Sequence, residues 1–99
     1  MERNLREYMV SDEFTEIIEN LQAKGFEAPL YFSAIAANGS MDMGSFERIG
    51  ETTDLKPTFL AQHLTGGLHA LPIHILFVDS KGSAARVLIE GSGEPQIIH

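Results

Sequence analysis

The sequence predicts a single small α+β domain in which helices pack on one face of a four-stranded, mainly antiparallel sheet. Its 99 residues are 43% hydrophobic and 21% charged, as expected for one globular domain. One segment carries apolar residues at helical spacing, and two pairs of apolar runs are each joined by a short turn. These observations predict the element order α-β-β-α-β-β within one domain over residues 1–99.

The first helix is predicted over residues 11–25. Ser11 is a suitable N-cap, and Gly25 is a suitable stop after the last turn. The apolar residues of this segment recur at i, i+3, i+4 and i+7 and would share one helix face: Phe14, Ile17, Ile18 and Leu21. Residues 1–10 are expected to form an N-terminal arm or a short helix, with a break near Val10.

The first hairpin is predicted over residues 30–48. Residues 30–37 are apolar on both alternating faces, and Asn38-Gly39 is typical of a two-residue hairpin turn. Residues 40–48 return as a weaker strand, which we expect at the sheet edge. Asp42 would then guard that edge against unwanted pairing, although its apolar neighbours leave partial desolvation open.

A second helix is predicted over residues 55–64, with Asp54 as its cap and Pro57 in its first turn. The apolar spacing leaves open a longer helix that ends at Pro72. A second hairpin follows, with strands at 73–78 and 84–90. Residues 91–99 are expected to be a linker-like tail, although its two isoleucines need a place to dock.

This order of elements resembles that of the roadblock-like and profilin-like α+β folds. The resemblance lies in element order alone. It implies a fold and no functional residue.

The charge distribution excludes several functions. Seven basic against fourteen acidic residues give a net charge of −7, and residues 1–54 carry all of it. Clustered basic residues are needed to bind nucleic acid or an anionic membrane, so neither partner is expected. The chain lacks a signal-like start and a span of about 20 apolar residues, which favours a cytoplasmic location. The lack of cysteine excludes disulfides and thiolate sites.

The histidines are the candidates for chemistry, because imidazole is a common metal ligand and acid-base group. A metal site would require His63, His69 and His74 to converge, with Asp79 as a further ligand. Their spacing lacks the His-x-x-x-His pattern that presents two ligands on one helix face. Neither a nucleophile elbow nor a phosphate loop occurs. The sequence therefore predicts no catalytic residue, metal or cofactor.

Excess apolar surface is the remaining signal. Strands 30–37 and 73–78 are apolar on both faces, which predicts a sheet face that binds a second copy or another protein. The alternative is that residues 49–72 cover this face. The expected interface residues are Tyr31, Met43, Phe77, Ile97 and Ile98.

Two functions follow from these expectations. The first is a cytoplasmic interaction module that forms a homodimer through its sheet and has no catalytic residues. The alternative is a small-molecule or metal-binding domain, with or without enzymatic activity, that has a pocket between the second helix and the sheet. The side chains expected to line that pocket are Phe59, His63, His69 and His74.

Overall fold

A computed structural model describes residues 2–48, 50, 55–60, 69–90 and 94–98 of the chain. Within these residues the chain forms two helices, α1 (Leu5–Tyr8) and α2 (Asp12–Ala23). It also forms eight strands there: β1 (Glu2–Arg3), β2 (Leu30–Ala36), β3 (Met41–Arg48), β4 (Leu55–Phe59), β5 (His69–Ala70), β6 (Ile73–Val78), β7 (Ala84–Glu90) and β8 (Glu94–Ile98).

Six of these strands form one antiparallel sheet in the order β4-β3-β2-β6-β7-β8, and β1 pairs with β5 separately. The two predicted hairpins are confirmed as β2–β3 and β6–β7. Gly39 and Gly82 adopt the positive φ angles that their turns require, +84° and +89°. The sheet thus consists of two three-stranded meanders, β2-β3-β4 and β6-β7-β8. The pairing of the two central strands, β2 and β6, joins them.

Helix α2 covers one face of the sheet, as its predicted apolar stripe requires. Ser11 caps it by accepting a hydrogen bond from the Phe14 N–H at 3.4 Å, and the predicted stripe is buried. Phe14 contacts Phe46 and Phe77 of the sheet, with ring centroids 5.8 and 6.2 Å apart. The break before Ser11 is also observed, because α1 ends at Tyr8.

The predicted four-stranded sheet and the α-β-β-α-β-β order are wrong. Residues 55–59, predicted as the start of the second helix, form strand β4 against β3. Pro57 fits the first turn of a helix, but it is equally compatible with an edge strand. Residues 61–68 of that helix lie outside the described residues. The resemblance in element order to the roadblock-like and profilin-like folds therefore does not hold.

Two further expectations differ from the structure because the sheet has six strands and not four. Strand β3 is not an edge, because β4 pairs with it on the side away from β2. Residues 94–98 of the predicted tail form β8, which pairs with β7. Ile97 is partly buried and packs against the core, so the tail supplies the sixth strand.

Candidate functional site

The face of the sheet opposite α2 exposes large apolar side chains. We call it the open face, and by strand alternation its central residues are Tyr31, Ser33, Ile35, Met41, Met43, His74, Leu76, Val78, Arg86, Leu88, Gln96 and Ile98. Tyr31 is 54% exposed, Ile35 49%, Leu76 45% and Met43 39%. These exposures are high for apolar side chains on central strands.

Strand register makes these side chains neighbours. Ser33 on β2 lies opposite both Met43 on β3 and Leu76 on β6. Ile35 lies opposite Met41 on one side and opposite His74 on the other. Directly opposite residues have Cβ atoms about 5 Å apart and diagonal ones about 7 to 8 Å, so Ile35, Met41, Met43 and Leu76 surround Ser33. Arg86 on β7 lies opposite Leu76 and borders this apolar patch.

The described residues of the open face include charges of both signs. Glu47 lies opposite Lys56 at the β3–β4 side of the sheet. On β7, Arg86 and Glu90 carry opposite charges on the same face. The exposed acidic residues of α2 lie on the other side of the molecule: Asp12, Glu13, Glu16 and Glu19. The negative charge of the helix layer is therefore separated from the apolar patch.

The expected interface residues divide between the two faces. Tyr31 and Met43 are exposed on the open face, and Ile98 is half-buried there. Phe77 is fully buried in the core, and Ile97 packs against the core from β8.

Sequence reasoning missed Ile35 and Leu76 as interface residues. Strand alternation alone does not identify them, because it leaves open which of the two faces is buried. The structure places their preceding neighbours, Ala34 and Ile75, in the core.

The histidines are not brought together among the described residues. His74 is exposed on the open face, whereas His69 is buried in β5, and His63 lies outside the described residues. Neither ring nitrogen of His69 has a hydrogen-bond partner among the described groups. Asp79 lies five residues beyond His74 along an extended strand, roughly 16 Å away, so the two cannot share a metal ion. No group of three or more His, Asp or Glu side chains in the described part of the chain is arranged to hold a metal ion.

Asp79 stabilises the turn between β6 and β7. Its buried carboxylate accepts hydrogen bonds from the backbone N–H groups of Glu27, Lys81 and Ser83 at 2.9, 3.0 and 2.8 Å. The hydrogen bond from Glu27 contributes most to lowering the pKa of Asp79 below its ordinary value, while burial opposes it. This carboxylate is already occupied by three donors, which gives it a structural role.

Asp42 is buried rather than exposed as an edge guard. Its carboxylate accepts two hydrogen bonds from Arg6 of α1, Nε to Oδ2 at 2.9 Å and Nη2 to Oδ1 at 3.1 Å. This pairing raises the pKa of Arg6 further above its ordinary value. The Arg6 guanidinium also lies 4.6 Å from the centroid of the Phe59 ring. The Arg6–Asp42 pair thus joins α1 to β3, and the contact with Phe59 joins it to β4. The sequence instead predicts Asp42 as an exposed charge at the sheet edge.

A groove of about 290 Å³ lies between α2 and β4. Its apolar lining includes Ile18, Phe46 and Leu55, and Thr15 and Gln22 contribute polar groups. None of the described residues lining it is a histidine, and Phe59 is not part of it. This groove therefore does not match the histidine-lined pocket expected from the sequence, which also depended on a helix where β4 lies.

The described residues contain no helix that is both long enough and apolar enough to span a membrane. α2, the longer of the two described helices, has 12 residues and an exposed acidic face. In comparisons with known proteins, the chain matches no protein-family model, no curated protein and no solved structure.

Proposed function

We propose that this protein is an interaction module that forms a homodimer by packing the open faces of two copies against each other. The observation that carries the proposal is the exposed apolar patch that includes Ile35 and Leu76. Removing apolar side chains from water is the dominant favourable contribution to most protein–protein association. A patch on central strands of a sheet is a recurrent place for such packing.

The area of the open face is sufficient for a dimer. Six strands spaced about 4.8 Å apart extend about 24 Å, and strands of six residues are about 20 Å long. Each copy therefore offers a face of about 500 Å², and two copies together bury about 1,000 Å², near the lower limit for a specific interface.

The charge distribution favours a second copy as the occupant. A chain with a net charge of −7 repels its own copy unless its acidic surfaces stay apart. Face-to-face packing places the two α2 helices on opposite outer surfaces, about 30 Å apart, which is several times the Debye length of about 8 Å at physiological salt.

The test is the molar mass in solution, measured by size-exclusion chromatography with light scattering at micromolar concentration. We expect the wild type to have twice the 10.9 kDa mass of one chain. Leu76→Arg places a charge in the patch and should give a monomer. Val10→Arg is the matched control, because Val10 is 63% exposed but lies between the two helices, so this variant should remain dimeric.

Circular dichroism of each variant establishes that it is folded. A strictly monomeric wild type would contradict the proposal. A dimer that survives Leu76→Arg and dissociates with Val10→Arg would place the interface at the helices instead.

A further inference from the structure

His74 occupies the first of the three open-face positions of β6, between apolar neighbours on the two adjacent strands. It is exposed on β6, one of the two central strands, and lies opposite Ile35 on β2 and Leu88 on β7. Packing a second copy against this face would therefore cover the imidazole with apolar groups. It is the one titratable side chain on the described part of β2 and β6 that both faces the open side and changes charge between pH 5 and 8.

The charged groups that face His74 come from β7. Arg86 and Glu90 flank Leu88, so each is a diagonal neighbour of His74 at about 7 to 8 Å. On β2 the neighbours are Ser33 and Ile35, which do not ionise, and Leu76 on its own strand is apolar. The two charges on β7 have opposite signs, so their effects on an imidazolium at His74 oppose each other. Burial by the partner is therefore the main factor that disfavours the imidazolium in the dimer.

We infer that protonation of His74 dissociates the homodimer, so that pH regulates the interaction. The inference rests on the proposed open-face dimer. A neutral imidazole can be buried against apolar side chains at modest cost, whereas an imidazolium loses its hydration without gaining a partner. In a symmetric dimer two imidazoles must both be neutral, one from each copy.

Linkage gives the size of the effect. When dimerisation requires a neutral imidazole, the dissociation constant changes by up to tenfold per pH unit for each histidine. With one histidine from each copy, the dissociation constant of the dimer changes by up to 100-fold per pH unit.

The experiment measures the dissociation constant by sedimentation equilibrium at pH 8.0, 6.5 and 5.5 for the wild type and for His74→Gln. Glutamine keeps a polar side chain of similar length that stays neutral at each pH. We expect the wild type to weaken about 100-fold between pH 8.0 and 5.5, and His74→Gln to change less than about threefold. Circular dichroism of the monomeric Leu76→Arg variant at the same pH values separates dissociation from unfolding. If the fold fails at pH 5.5, the comparison is made at pH 6.5.

Equal pH dependence in the wild type and in His74→Gln would overturn this inference and leave the dimer intact as a proposal. A wild-type dissociation constant that is the same at all three pH values would overturn it as well. A wild type without any dimer at pH 8.0 would instead contradict the proposed function.

Discussion

At the scale of single residues, the bidentate pair between Arg6 and Asp42 attaches α1 to the sheet. The Asp42 side chain is 4% exposed and that of Arg6 is 40% exposed, so loss of Arg6 leaves a buried carboxylate without its cation. The Met43 N–H still donates to Asp42 Oδ1 at 3.1 Å. We expect Arg6→Ala to lower the free energy of unfolding by about 1 to 3 kcal/mol, the range for leaving a buried polar group incompletely paired. The free energy of unfolding of Arg6→Lys should lie between those of the wild type and Arg6→Ala. An ammonium keeps the positive charge but cannot reproduce the two parallel hydrogen bonds.

The measurement for this pair is urea unfolding at one fixed protein concentration, since dimerisation also contributes to stability. Arg48→Ala is the matched control, because Arg48 is exposed at the end of β3, and it should have little effect. Equal effects of Arg6→Ala and Arg48→Ala would contradict a structural role for the pair.

The lowered pKa of Asp79 predicts that the free energy of unfolding depends on pH. Its folded-state pKa is lowered, so the stabilisation it provides is fully present above its unfolded value near 3.8 and is lost as pH falls through the lower folded-state pKa. Asp79→Asn removes this ionisation. We expect the variant to be less stable than the wild type at pH 7, and the difference to shrink below about pH 4.

Urea unfolding at pH 7, 4 and 3 measures this difference for Asp79. A variant that matches the wild type at pH 7 would show that the three backbone hydrogen bonds do not depend on the carboxylate charge.

The roles of these two aspartates were only partly predictable from the sequence. Asp79 lies in a turn that the sequence predicts, but its donor from Glu27 is 52 positions away along the chain. For Asp42 the sequence leaves open both an edge-guard role and partial desolvation. Which of the two is correct depends on whether β4 pairs with the outer side of β3, and no local signal near Asp42 indicates this.

At the scale of elements, β8 extends the sheet with residues that appear linker-like in the sequence. Ile97 is partly buried against the core, whereas its neighbour Gln96 is exposed. We expect Ile97→Ala to lower the free energy of unfolding by about 1 to 2 kcal/mol, less than for a fully buried isoleucine. Gln96→Ala should change it by less than about 0.5 kcal/mol.

Urea unfolding of both variants at equal concentration tests the role of β8. If Ile97→Ala has no more effect than Gln96→Ala, residues 94–98 do not pack as a strand of the sheet.

Elements with strong local signals were predictable. α2 has its cap and its apolar stripe within one segment, and both hairpins have a turn between two apolar runs. β4 and β8 lack such signals, because Pro57 and Pro95 are compatible with several structures. The residues that join each strand to its partner, 49–54 and 91–93, have the composition of ordinary polar or glycine-rich linkers. The four-stranded prediction failed at the two strands whose assignment depends on tertiary pairing.

At the scale of the whole molecule, one 12-residue helix packs on one face of the six-stranded sheet. The opposite face is the open face, where Tyr31, Ile35 and Leu76 remain exposed. The sequence predicts excess apolar surface but assigns Phe77 to it, because the parity of each strand is unknown until its register is observed. Face-to-face packing of two copies would complete a four-layer arrangement, helix–sheet–sheet–helix, which buries the apolar side of the central strands.

Packing of Leu76 and Ile35 against a second copy can be observed by isotope-filtered nuclear Overhauser measurements on an equal mixture of labelled and unlabelled protein at pH 8. Face-to-face packing predicts intermolecular signals from the methyl groups of Ile35, Leu76 and Met43, and none from those of Val10. Intermolecular signals from Val10 without any from Leu76 and Ile35, or no intermolecular signals at all, would contradict it.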